Sequence, residues 1–170
     1  MAEFLLEALS EEIPARMQKR AAAEFSQILT SELEKVGLAH EPANYFVTPR
    51  RITVSIDGLP LQQSTVVEER RGPRVDAPAA ALDGFMRSNN ISRDQIEERE
   101  TTKGRFYFVE IETKGKLTKE VLPAIIETSL KKFAWPKSMR WGSNSFRWVR
   151  PLHSILAVFE AEVLRGELDL

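Results

Sequence analysis

The sequence predicts an α+β fold with a mainly antiparallel or mixed sheet and about three packed helices. Two observations carry that reading. Apolar residues recur at spacings of three and four from Met17 to Val36, the period of a helix. They alternate or run continuously in shorter segments such as 52–56 and 152–163, as strands do. The segments follow one another as strand, helix, several strands, helix, hairpin, helix, strand.

Each element has a local reason. Residues 3–9 are short and apolar and read as a buried strand. Pro14 fits the first turn of a helix, where its missing N–H costs nothing. Met17, Ala21, Phe25, Ile28, Leu29, Leu33 and Val36 then form one apolar helix face, and Gly37 stops the helix. Residues 45–47 and 52–56 read as strands around Thr48-Pro49-Arg50-Arg51. In the second, Ile52, Val54 and Ile56 face a core while Thr53, Ser55 and Asp57 face water. Asp57-Gly58 and Pro60 break that strand. A strand over 64–71 ends at Gly72-Pro73, and the Pro- and Ala-rich stretch 76–81 leads into a short helix over 79–88. Leu82, Phe85 and Met86 share one side of it, and Asn89-Asn90 closes it. Residues 96–101 and 105–113 make a hairpin around Lys103-Gly104. Thr118 caps a helix that carries Val121, Leu122, Ile125, Ile126, Leu130 and Phe133. Pro123 requires that helix to begin near Leu122 or to have an irregular first turn. After a tryptophan-rich stretch, 152–163 is a continuous apolar run of strand character. A boundary near residues 72–78 divides the chain into subdomains 1–72 and 78–170 that share a sheet or core. The closing residues Gly166-Glu167-Leu168-Asp169-Leu170 read as the middle of an element, which predicts a truncated chain.

Composition narrows the function classes. The chain has 170 residues, 42% of them apolar and 29% charged, ordinary values for a soluble globular protein. Cysteine is absent, so there is no disulfide framework and no thiolate zinc site, which suits a cytoplasmic compartment. No apolar run approaches the ~18–20 residues that span a bilayer, so no membrane partner is expected. The acidic start Met1-Ala2-Glu3 lacks the features of a signal peptide and reads as unprocessed. Net charge is −1, but it is unevenly spread. Residues 1–41 hold eight Glu against Arg16, Lys19, Arg20 and Lys35, whereas 128–159 contain no acidic residue at all. That second stretch carries Lys131, Lys132, Lys137, Arg140, Arg147, Arg150 and all three tryptophans, the composition of a surface for an anionic partner.

No self-contained active site is legible. His40 and His153 stand far apart and outside any metal-ligand spacing, and no nucleophile-elbow, phosphate-loop, dinucleotide or zincin pattern occurs. Gly72-Pro73-Arg74 and Lys103-Gly104-Arg105 read as plain turns, and Glu11-Glu12 as helix-start acids that complement the macrodipole. Arg50 and Arg51 after a proline turn suit bidentate phosphate binding, or else a solvated strand start. Glu68-Glu69-Arg70-Arg71 neutralises itself. The informative segment is Trp135-Pro136-Lys137-Ser138-Met139-Arg140-Trp141-Gly142, then Phe146-Arg147-Trp148-Val149-Arg150-Pro151. Its rings and guanidinium groups suit stacking on bases with contacts to phosphates, and equally a protein interface or a plain core. Of the core residues, Trp135, Met139, Trp141 and Phe146 are expected to anchor the segment, with the basic groups outward.

That segment, continued through Leu152-His153-Ser154-Ile155-Leu156-Ala157-Val158-Phe159, resembles the most recognisable signature near the N-terminus of glycyl-tRNA synthetase β subunits. Leu5-Leu6-Glu7-Ala8 with Glu11-Glu12-Ile13-Pro14-Ala15, the Thr48-Pro49-Arg50-Arg51-Ile52 turn, Arg71-Gly72-Pro73, Gly84-Phe85 and Lys103-Gly104 are similar to that family in order and spacing. Ala8-Leu9-Ser10 departs from it, where an Ile-Gly-Thr-like sequence is expected. The resemblance implies that residues 1–170 are the N-terminal part of a larger β subunit, without its HD-type, helical and anticodon-binding regions. It implies a non-catalytic role in an α2β2 ligase whose α subunit uses ATP and Mg to attach glycine to tRNA(Gly). The implied partners are tRNA(Gly), the α subunit and the remainder of β. No cofactor, metal or catalytic residue is expected in this chain. Its candidate RNA- or partner-binding residues are Arg50, Arg51, Lys103, Arg105, Lys137, Arg140, Arg147 and Arg150. The alternative is a protein-interaction module that docks through 135–151 without RNA.

Overall fold

The computed structural model describes residues 2–143, 145–168 and 170. Along the chain run β1 (Ala2–Ser10), α1 (Ala15–Lys35), β2 (Asn44–Thr48), β3 (Arg51–Leu59), β4 (Val66–Arg74) and α2 (Ala79–Asn89). One 3-10 turn (Arg93–Gln95), β5 (Ile96–Thr101), β6 (Gly104–Thr113), α3 (Thr118–Lys132), β7 (Leu152–Phe159) and β8 (Glu162–Val163) follow. The fold is α+β, and every strand pairing among the described residues is antiparallel.

The chain forms two compact units, residues 1–64 with 116–170, and Thr65–Gly115. The boundary expected at 72–78 falls inside the second unit. Gly72-Pro73 does not end its strand, because β4 is an edge strand and an edge position tolerates a residue with no N–H to donate. The pairing with β6 shifts register between Arg71 and Arg74 to absorb the proline.

In the first unit the strand order is β2-β3-β1-β7-β8. The period-two pattern works as expected: Phe4, Leu6 and Ala8 on β1 and Ile52, Val54 and Ile56 on β3 are all buried on one face. Helices α1 and α3 pack beside each other and close that core with Phe25, Leu29 and Leu33 from one and Leu122, Ile126 and Leu130 from the other. Glu32, itself almost buried, receives Lys35 at 2.6 Å and Lys132 at 2.9 Å and so ties the helices together.

Several local expectations change. Asp57-Gly58 does not break β3, which runs to Leu59. Gly58 adopts φ +80° and the pairing with β1 slips there, so the glycine makes a bulge. A Cβ at Gly58 would lie 2.8 Å from Glu41 Cγ, which leaves room only for hydrogen. Thr118 is the first residue of α3 and not its cap, which is Leu117. Its buried hydroxyl donates to the Pro60 carbonyl at 2.5 Å, and its N–H to Leu61 at 2.9 Å. These bonds fix the helix start a full turn before Pro123, which sits inside the helix with no N–H for the Lys119 carbonyl. The run 152–163 folds back on itself: Glu160 and Ala161 take φ +53° and +61°, the paired positive values of a tight hairpin turn, so the strand reverses into β8.

The second unit is a three-stranded sheet, β4-β6-β5, with α2 beside β4. Its buried apolar residues are Leu82, Tyr107 and Val109. Asn90 closes α2 in the left-handed conformation, φ +53°.

Candidate nucleic-acid interface

Three segments meet at one end of the first unit's sheet. The end of β1 lies between the β2–β3 turn and the residues that lead into β7. Ser10 N–H donates to the Arg50 carbonyl at 2.8 Å, Ile13 N–H to Pro49 at 2.6 Å and Glu11 N–H to Pro151 at 2.9 Å. The Arg50 side chain returns a bond from Nε to the Ser10 carbonyl at 3.2 Å. Glu11 and His153 meet at 2.6 Å, with an Arg50 nitrogen 3.8 Å from the same carboxylate oxygen. The hydrogen bond from His153, with Arg50 assisting against partial desolvation, holds the Glu11 carboxyl below its ordinary range. Glu11 therefore clasps the sheet end and does not serve the first turn of α1, which contains no acidic residue.

Residues 135–151 run from α3 to this clasp. The segment is pinned by an aromatic cluster. Trp148, 1% exposed, lies with ring centroids 5.0 Å from Trp135, 5.5 Å from Phe133, 5.9 Å from Phe146 and 6.1 Å from Phe25. Trp141 is half-buried and meets Phe146 at 5.9 Å. Of the four expected anchors, Trp135 is buried, Trp141 and Phe146 are half-buried, and Met139 is exposed at 38%. The centre of the cluster is Trp148, which the composition-based reading passed over. Its signal was the sequence Phe146-Arg147-Trp148, where the two rings flank an arginine at strand spacing.

Met139 and Trp148 exchange backbone hydrogen bonds at 2.8 and 3.2 Å and close a short antiparallel loop. Arg140 follows one partner and Arg147 precedes the other, so both point to the side opposite Met139 and Trp148. Both are exposed, and Arg147 Nε donates to Ser138 Oγ at 3.1 Å. Lys137 is exposed as well, and half-buried Arg150 donates to the Val149 carbonyl at 3.0 Å. Among the described residues, none of Lys137, Arg140, Arg147 and Arg150 has a carboxylate partner.

The other sequence-selected cations differ. Arg50 faces Glu11 at 3.8 Å and Arg51 faces Glu7 at 3.4 Å. Lys103 and Arg105 belong to the second unit, on the β5–β6 hairpin, and Arg105 is paired with Glu98 at 2.6 Å. The eight residues thus do not form one surface within the first unit. Six belong to it, and four of those six keep their charge unneutralised among the described residues. Among the described residues, no cluster of His, Cys, Asp or Glu is placed to hold a metal ion, and no helix is long and apolar enough to cross a membrane.

The profile of the family described as glycyl-tRNA synthetase beta subunit matches residues 4–169. The chain is 48% identical to the glycine–tRNA ligase beta subunit of Rhodospirillum centenum over 171 residues, covering all of this chain and 24% of that protein. It is 48% identical to that of Ruegeria sp. over 99% of this chain and 25% of the relative, and 47% identical to that of Paracoccus denitrificans over 95% and 24%. The chain spans about a quarter of the length of these curated relatives.

Proposed function

The chain belongs to the glycyl-tRNA synthetase beta subunit family, and we propose that it is a non-catalytic N-terminal part of such a subunit that supports tRNA binding and α2β2 assembly. In this reading the ATP- and Mg-dependent attachment of glycine takes place on the α subunit, in the cytoplasm. The chain supplies a rigid basic surface. The observation that supports it is the strip Lys137, Arg140, Arg147 and Arg150. Among the described residues these four cations have no carboxylate partner, and they are carried on a loop that buried Trp148 and Trp135 hold to the core. Such a strip meets phosphate oxygens without first breaking an internal ion pair. Arg50 and Arg51 stand nearby in the chain's hydrogen-bond network, but each would have to leave a glutamate.

The test is binding of tRNA(Gly) to the 170-residue chain across a salt series. Phosphate contacts release counterions, so the logarithm of affinity should fall steeply and linearly with the logarithm of salt concentration. Roughly one unit of slope belongs to each phosphate contact. Tight binding that ignores salt would count against this surface, as would undiminished binding by a chain in which all four cations are neutralised.

A further inference from the structure

The start of α1 and residues 133–136 enclose a cavity of about 190 Å3. Met17, Ala21, Phe133 and Pro136 give it apolar walls, and Arg16, Arg20 and Glu24 also line it. Trp135 completes the wall; it is 8% exposed, and its indole N–H has no hydrogen-bond partner among the described residues. We propose that this slot docks a segment of a partner protein that presents one bulky apolar side chain beside a carboxylate.

Size sets the first limit. Sites for whole small molecules run to ~300–1,000 Å3, so this cavity suits one side chain and not a complete ligand. Charge sets the second. Arg20 is committed to Glu24 at 2.6 Å, whereas Arg16 has no ion-pair partner among the described residues. The helix end beside it carries no acid in its first turn and no side-chain cap, so its dipole adds to the positive potential. One unpaired guanidinium next to one apolar slot matches one carboxylate next to one apolar side chain, and the guanidinium can hold both oxygens.

RNA fits the slot poorly. A phosphate backbone calls for a row of unpaired cations, and bases call for an exposed ring face. Here one cation is unpaired among the described residues, and Phe133 and Trp135 meet edge-on at 89°, with both rings buried. The slot thus goes beyond the RNA reading above and stands whether or not the strip at 137–150 binds tRNA.

Nitrogen-15 NMR of the three tryptophan indoles tests it, with Trp135 assigned through Trp135→Phe. The probes are the peptides acetyl-Asp-Leu-Phe-Asp-amide and acetyl-Lys-Leu-Phe-Lys-amide, and hexauridylate. The acidic peptide should shift the Trp135 resonance saturably and the lysine peptide should not. Arg16→Glu, at an exposed position, should weaken the acidic peptide by about tenfold or more, the loss of one charge-assisted pair. Met17→Phe, which narrows the slot, should weaken it too. Equal shifts from both peptides, no shift from either, an unchanged response in Arg16→Glu, or a larger shift from hexauridylate would each overturn the proposal.

Discussion

Replacing Trp148 by alanine should be the most damaging single change in the tryptophan-rich segment. Its ring is 1% exposed and touches four other rings. Removing a ring that buries roughly 200 Å2 forfeits about 5 kcal/mol at ~25 cal/mol per Å2. The alanine methyl and partial collapse of the cavity return some of that, which leaves a cost of about 3–5 kcal/mol. At roughly 3–6 °C per kcal/mol for a unit of this size, the melting temperature should fall by about 9–30 °C. Thermal unfolding followed by circular dichroism reads this directly. Trp141→Ala is the internal control: half-buried and in ring contact with Phe146 alone among the described residues, it should cost only about 1–2 kcal/mol. Trp148→Ala melting within a few degrees of the parent chain, or Trp141→Ala proving the costlier, would refute the assignment of the core to Trp148.

Three further outcomes are expected. Arg140→Ala and Arg147→Ala, both exposed, should each leave stability within about 0.5 kcal/mol of the parent and reduce the salt slope of tRNA binding by roughly one unit. Hydrogen bonds from Lys35 and Lys132 hold the Glu32 carboxyl below its ordinary range, and His153 does the same for Glu11. A carboxyl held low in the folded protein stabilises it above the unfolded value, about 4.3, and that contribution vanishes as pH falls through the depressed folded value. Urea midpoints measured from pH 7 to pH 3 should therefore drop more steeply below about pH 4.5 for the parent than for Glu32→Gln, and parallel curves would speak against the inter-helix tie. Finally, the pure chain supplied with ATP, glycine and tRNA should not form glycyl-tRNA; turnover above background in the absence of α subunit would sink the non-catalytic reading.

The helices and most strands were legible because their signals are local. The three- and four-residue spacing from Met17 to Leu33 becomes the buried face of α1, and the alternation Ile52, Val54, Ile56 becomes the buried face of β3. What sequence did not reveal depends on partners distant in the chain. Thr118 read as a cap because its true acceptor, the Pro60 carbonyl, lies 58 residues away. Glu11 read as a helix acid because His153 lies 142 residues away. Gly58 and Gly72-Pro73 read as strand breaks because a bulge and an edge strand tolerate them, and neither can be known without the neighbouring strand. Within the candidate surface, residue type identified the cations but not which carboxylates oppose them. Glu7, Glu11 and Glu98 set Arg51, Arg50 and Arg105 apart from Arg140 and Arg147.

The place of β1 in its sheet carries a consequence for biosynthesis. The strand is made before both of its neighbours, β3 and β7, and its pairing with β7 joins Phe4 to Phe159 across about 150 residues. At ~5–20 residues per second, the ribosome takes roughly 8–30 s to deliver that second neighbour. Through this interval Phe4, Leu6 and Ala8 have β3 and α1 to pack on, but one edge of the strand keeps its N–H and C=O groups open, the hazard of any unpaired strand edge. Residues 65–115, a complete sheet and helix of their own, emerge while the first unit is still waiting. Nascent chains stalled before Leu152 should thus recruit holdase chaperones that release once β7 clears the exit tunnel.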